Sequence, residues 1–242
     1  MTAVMTVYRS SIGKKAVMAI TGFILVGFVV AHMIGNLKIY TGAEHLNAYA
    51  GFLRTVGDPL VPRETLLWIA RIVLLGSVGL HILMAYQLSR KSWDGRPVRY
   101  DTRRDIQATY ASRTMRWGGV ILLLFIIYHI LHLTLGMVGY NPGVFQHEDP
   151  NNGFQTYANV VNGFRNIPVS LFYILAMGAL CLHLYHGTWS MFQTLGLNNN
   201  QTNSIWRWVS IIVAVAVFVG NISIPIAVMA GLLPLEAAGT GH

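Results

Sequence analysis

Five apolar stretches, each long enough to cross a membrane, constrain this chain more than any other feature. They cover residues 16–37, 66–88, 117–138, 168–192 and 208–233. A helix needs roughly 20 residues to cross about 30 Å of hydrocarbon, and all five meet that length. Backbone groups in lipid must find partners within their own element, and these runs lack the alternation of a barrel strand, so each is read as a helix. The expected fold is an all-α integral membrane bundle of five transmembrane helices. Arg9, Lys14 and Lys15 precede the first run, but it is too long for a cleaved signal core and is read as a retained span. Without a linker or a long polar insertion, residues 1–242 read as one domain.

Charge gives the orientation. Arg9, Lys14 and Lys15 flank the first span. Arg90, Lys91, Arg96, Arg99, Arg103, Arg104, Arg113 and Arg116 fill the second-to-third connection. The third-to-fourth connection has Glu148, Asp149 and a single Arg165, and the first-to-second is mixed. Positive loops stay in the cytoplasm, so the N-terminus is expected inside and the C-terminus outside. The same rule accounts for the net charge of +8 without nucleic acid as a partner. Residues 42–62 are partly amphipathic and expected along the outer interface, and residues 94–105 form a basic cytoplasmic turn. Trp68, Trp117, Trp189, Trp206 and Trp208 fall near span ends, where interface anchoring accounts for them. The lone cysteine, Cys181, leaves no disulfide framework, Cys-ligated zinc site or iron–sulfur cluster within this chain.

Six of nine histidines lie inside spans: His32, His81, His129, His132, His183 and His186. An ionisable group at membrane depth is costly and calls for a functional partner. In each of the first four spans histidine falls in the later half of the helix, and successive helices run in opposite directions. His32 and His129/His132 therefore lie toward the outside, and His81 and His183/His186 toward the cytoplasm. At 1.5 Å per residue, His32 sits roughly 24 Å and His81 about 10 Å from the inner side, a difference of roughly 14 Å.

Two imidazoles on facing helices can clamp the iron of a porphyrin from both sides, filling its axial positions for electron transfer. Zinc or a di-metal carboxylate centre needs further ligands at the same level, and no Asp, Glu or Cys pair accompanies these histidines. Two b-type haems at two depths are expected. Gly22, Gly27, Gly76, Gly79 and Gly178 lie near the sites, where small residues serve porphyrin approach or ordinary helix packing alike. Arg71 lies about ten residues before His81, hence roughly 15 Å toward the outside. It is a candidate contact for a haem propionate, or it snorkels to the surface. Spacing leaves two choices open, because His129 and His132, like His183 and His186, share a helix face. Depth slightly favours His132 as the mate of His32.

At these residues the chain resembles the cytochrome b membrane-anchor subunit of succinate dehydrogenase and fumarate reductase, in its five-helix, di-haem form. The matching segments are Ala31-His32-Met33-Ile34-Gly35-Asn36, Gly79-Leu80-His81 and Ile127-Tyr128-His129. The strongest is His183-Leu184-Tyr185-His186-Gly187-Thr188-Trp189-Ser190, followed by Phe192-Gln193-Thr194-Leu195-Gly196. The resemblance implies axial ligation by His32 and His129 at the distal haem and by His81 and His183 at the proximal one. His132 and His186 are left as supporting or packing residues.

The resemblance also implies a partner iron–sulfur subunit and a flavoprotein subunit, with no succinate or flavin site in this chain. It implies a quinone as substrate, menaquinone for a two-haem member, and a multi-pass place in the bacterial cytoplasmic (inner) membrane. Two quinone-site sets are candidates: Ser10, Ser11 and Lys14 at the cytoplasmic mouth, and Glu44, His45 and Glu64 outside, where a proton donor or acceptor serves quinone chemistry. No catalytic residue is assigned. The competing readings are a di-haem anchor of another respiratory dehydrogenase and a transporter relaying protons through its histidines.

Overall fold

The computed structural model describes residues 10–95, 110–148 and 153–235, with side chains from residue 114 onward in the second segment. In chain order the helices are α1 Ser11–Asn36, α2 Ala43–Thr55, α3 Thr65–Asp94, α4 Tyr110–His129, α5 Thr156–Phe164, α6 Ile167–Thr194 and α7 Asn203–Met229. A 3-10 turn, Leu37–Thr41, prolongs α1, and a π-helical turn, Ile130–Thr134, prolongs α4. Five of these, α1, α3, α4 with its π turn, α6 and α7, are long and apolar enough to cross a membrane. The basic turn expected over residues 94–105 lies, from residue 96, outside the described residues.

The ends of the spans depart from the hydropathy boundaries for local reasons. Helix α1 starts earlier because Ser10 Oγ accepts a hydrogen bond from the Gly13 amide at 2.9 Å, an N-cap that satisfies an orphan donor. Helix α4 stops earlier than expected. Leu135 N donates to Ile130 O at 3.0 Å and Met137 N to Leu131 O at 2.8 Å. Gly136 and Gly139 follow at φ +63° and +80°, a conformation glycine adopts without steric cost. Helix α7 runs on through Pro225, which is buried inside it.

Helix α5 is an element the hydropathy runs do not reveal. Its buried Tyr157, Val161 and Phe164 recur at a helical spacing and seat it over one end of the bundle. There they join Ile39, Leu46, Tyr173 and Ile224 in the largest apolar core. Tyr157 binds both sides of this cap: its amide donates to Asn47 Oδ1 at 3.0 Å and its hydroxyl to Pro234 O at 3.0 Å. Two of the tryptophans expected near the interface are half-buried and also pack against neighbours. Trp206 stacks on Phe192 at 3.8 Å, and Trp189 Nε1 donates to Asn203 Oδ1 at 3.1 Å, tying α6 to the start of α7. Trp68, Trp117 and Trp208 are exposed.

The pattern of helix packing positions the site. Helix α6 packs against α7, α4 and α1, while α3 packs against α1. Helices α1 and α4 are not closely packed, nor are α3 and α6. These two separated pairs are the ones whose histidines face each other. Near the C-terminal end of α3, the Arg116 guanidinium lies 4.8 Å from the ring centre of Trp93, linking α3 to α4 where the two helices stand apart.

Candidate functional site

Across each separated pair of helices, two imidazoles approach. The rings of His32 on α1 and His129 on α4 are 5.8 Å apart, nearly perpendicular at 87°. Those of His81 on α3 and His183 on α6 are 6.3 Å apart and tilted by 60°. Phe28, one turn before His32, stacks on its ring at 5.3 Å.

The two pairs lie at different depths by two independent measures. Thr21 Oγ1 is 3.3 Å from His81 Nδ1, and His32 lies eleven residues further along α1, about 16 Å at 1.5 Å per residue. On α6, the Tyr173 hydroxyl is 3.3 Å from His129 Nδ1, and His183 lies ten residues further, about 15 Å.

Each pair is held by neighbours the sequence does not announce. His81 Nδ1 is 3.1 Å from the Met18 carbonyl on α1. As a donor there, Nδ1–H leaves Nε2 as the nitrogen free to ligate, the usual arrangement of a metal-binding imidazole. A Cβ at Gly22 would lie 3.4 Å from His81 Cε1, in ordinary contact with the ring. At Gly27, Gly76, Gly79 and Gly178 a Cβ would meet nothing within 4 Å, so no protein contact requires glycine at these four positions.

The structure distinguishes the neighbouring histidines. His132 is fully buried. Its Nδ1 is 2.9 Å from the Tyr173 hydroxyl, and its Nε2 is buried without a partner among the described residues. Cβ atoms added to Gly163 and Gly139 would come within 2.6 and 2.9 Å of that Nε2, so backbone closes over it. Above it the Tyr140 hydroxyl donates to Asn159 O at 2.9 Å, and burial pushes the Tyr140 pKa above its usual value. His183 and His186 each bury Nδ1 without a partner among the described residues, so hydrogen bonding does not separate them. Their ring neighbours do: His183 has His81, whereas His186 has Trp189 at 6.4 Å.

Among the described residues no group of three or more His, Cys, Asp or Glu could hold a metal ion. The donor set at each level is a pair of imidazoles.

Residues 103–220 match the family model described as the succinate dehydrogenase/fumarate reductase transmembrane subunit. The match spans 118 of the chain's 242 residues, a little under half, and over this stretch the chain is similar to that family. The matched residues take in α4, α6 and much of α7, and with them His129, His132, His183 and His186. His32 and His81 precede the match. No curated protein and no solved structure matches the chain.

The remaining candidate residues are scattered. Arg71 lies over the Trp68 ring at 4.7 Å. Ser10 caps α1, and Ser11 Oγ accepts from Lys91 Nζ at 2.8 Å, while Lys14 is half-buried on the same helix. Glu64, at φ +66°, pairs with Arg54 at 3.4 Å. Burial holds the Arg54 guanidinium below its ordinary pKa, opposed by the Glu64 charge. Glu44 and His45 are exposed in the first turn of α2. Ser10 Oγ thus accepts in the helix cap. Ser10→Ala is expected to cost about 1 kcal/mol of stability and, if a quinone binds elsewhere, to leave its KM unchanged. Thermal unfolding and quinone-reduction kinetics of the assembled enzyme check this, and a raised KM at unchanged stability is the contrary result.

Proposed function

We propose that the chain is the di-haem cytochrome b anchor of a succinate:quinone oxidoreductase. His32 and His129 bind the outer haem and His81 and His183 the inner one, between the cytoplasmic N-terminus and the outside. Its partners are an iron–sulfur subunit and a flavoprotein subunit in the bacterial cytoplasmic membrane, and menaquinone is the expected quinone.

The observation that carries this reading is the spacing of the paired rings. An imidazole–metal bond of about 2 Å on each side, plus roughly 1 Å from each nitrogen to its ring centre, spans about 6 Å. The two separations of 5.8 and 6.3 Å accommodate one iron each. Two protein ligands per level are too few for a bare ion and suffice for an iron whose other four positions a porphyrin fills. The separated helix pairs and the open glycines fit a flat macrocycle between them.

When bound, each haem would be held by its pair of imidazoles and would supply a one-electron redox centre. The protein's own residues hold the imidazoles in place. The Met18 carbonyl and Thr21 orient His81, Phe28 supports His32, and the apolar faces of α1, α3, α4 and α6 exclude water. Arg71 stands near the outer level by helix count, about 15 Å from His81 along α3, and is a cation available there for a propionate. For the quinone, the outer Glu44, His45 and Glu64 set is favoured over Ser10 and Ser11, whose hydroxyls accept from Gly13 N and Lys91 Nζ. Glu44 and His45 are exposed and carry groups able to exchange a proton.

The test is succinate-driven reduction of the assembled complex. Adding succinate to the purified three-subunit enzyme is expected to develop the reduced b-type spectrum, at about two haems per anchor. A colourless, correctly inserted anchor contradicts the reading.

A further inference from the structure

We infer that Tyr173 is a positioning residue for the outer haem: its hydroxyl accepts from His129 Nδ1 and donates to His132 Nδ1, fixing the axial imidazole and tuning its iron. The inference rests on the proposed ligation by His129.

The hydroxyl of Tyr173 lies 3.3 Å from His129 Nδ1 and 2.9 Å from His132 Nδ1. A phenol has one proton to give and lone pairs to accept. If His129 binds iron through Nε2, its remaining proton is on Nδ1, and that N–H must donate to Tyr173 Oη. Tyr173 is then left to donate its own proton to His132 Nδ1. This places the His132 proton on Nε2, the atom enclosed by Gly139 and Gly163. The direction of all three groups follows from the first assignment. His132 thus has a use that does not require it to touch a haem: it orients the phenol that orients the ligand.

Geometry leaves Tyr173 little freedom to turn elsewhere. It is buried and packs edge-on against Phe164 at 4.9 Å and Phe125 at 5.1 Å. Phe125 also adjoins His129 at 5.7 Å, so one aromatic group frames both ligand and support. An acceptor on the free nitrogen of an axial imidazole raises its basicity and fixes its plane. A more basic ligand favours the ferric state, so removing the acceptor favours the ferrous one.

The experiment is redox potentiometry with low-temperature electron paramagnetic resonance on the assembled complex, comparing the native protein with Tyr173→Phe. Phenylalanine keeps the packing and removes only the hydroxyl. The outer haem is expected to shift to higher potential, with the ferric-to-ferrous ratio at fixed ambient potential falling up to about tenfold, or about 59 mV for one electron. Its ferric signal should change as the ring plane loosens, while the inner haem stays unchanged. His132→Phe keeps Tyr173 as an acceptor and is expected to shift the potential less. An outer haem that keeps its potential and signal in Tyr173→Phe overturns the inference alone, and so does one lost outright from that variant. Absence of haem from the native complex overturns the proposed function with it.

Discussion

With the proposed ligation of two haems, His129→Ala is expected to lose one of them, whereas His132→Ala keeps both. The two histidines are three residues apart and both touch Tyr173, but their surroundings differ. His129 has the His32 ring at 5.8 Å across separated helices. His132 is fully buried, with backbone closing over its Nε2, so no macrocycle can reach that nitrogen without displacing α5. Replacing a buried side chain of this size by alanine opens a cavity costing about 2–4 kcal/mol. His132→Ala should therefore unfold at lower temperature yet carry a full haem complement when folded. Pyridine haemochrome content beside thermal unfolding of both variants checks the contrast. A haem lost from His132→Ala and retained in His129→Ala reverses it.

The largest expected effect on stability falls on Gly139. Its φ is +80°, and a Cβ there would lie 2.6 Å from His132 Cδ2. The left-handed conformation alone costs an L residue roughly 1–2 kcal/mol, and overpacking adds about 1–3 kcal/mol. Gly143 supplies the control. It has nearly the same φ, +79°, but nothing within 4 Å of its Cβ position. Gly139→Ala is expected to destabilise the detergent-solubilised complex by about 2–5 kcal/mol in total, and Gly143→Ala by the conformational share alone. Equal shifts in the two unfolding midpoints contradict the packing described around His132.

The spans were legible because the bilayer imposes length and apolarity on every crossing helix, whatever its neighbours. Their ends were less so. The Ser10 cap is a local signal that hydropathy averages away, and the π turn after His129 depends on the glycines beyond it. Helix α5 was readable in principle from Tyr157, Val161 and Phe164, but nine residues between polar flanks make a faint pattern. The depths of the histidines follow from helix direction, which antiparallel succession makes predictable. The difference between His129 and His132 does not, because Gly163 and Tyr173, which decide it, lie 31 and 41 residues downstream. The Met18 carbonyl beside His81 carries no sequence signature at all, since any residue supplies a backbone oxygen.

Haem content of two double variants puts the pairing of alternate helices to its most direct trial. If His32 and His129 share one iron, His32→Ala with His129→Ala removes a single haem and leaves the other. His32→Ala with His81→Ala then strikes both sites and leaves none. The opposite result, one haem surviving the second combination and none the first, would show that the imidazoles join across different helices from those described.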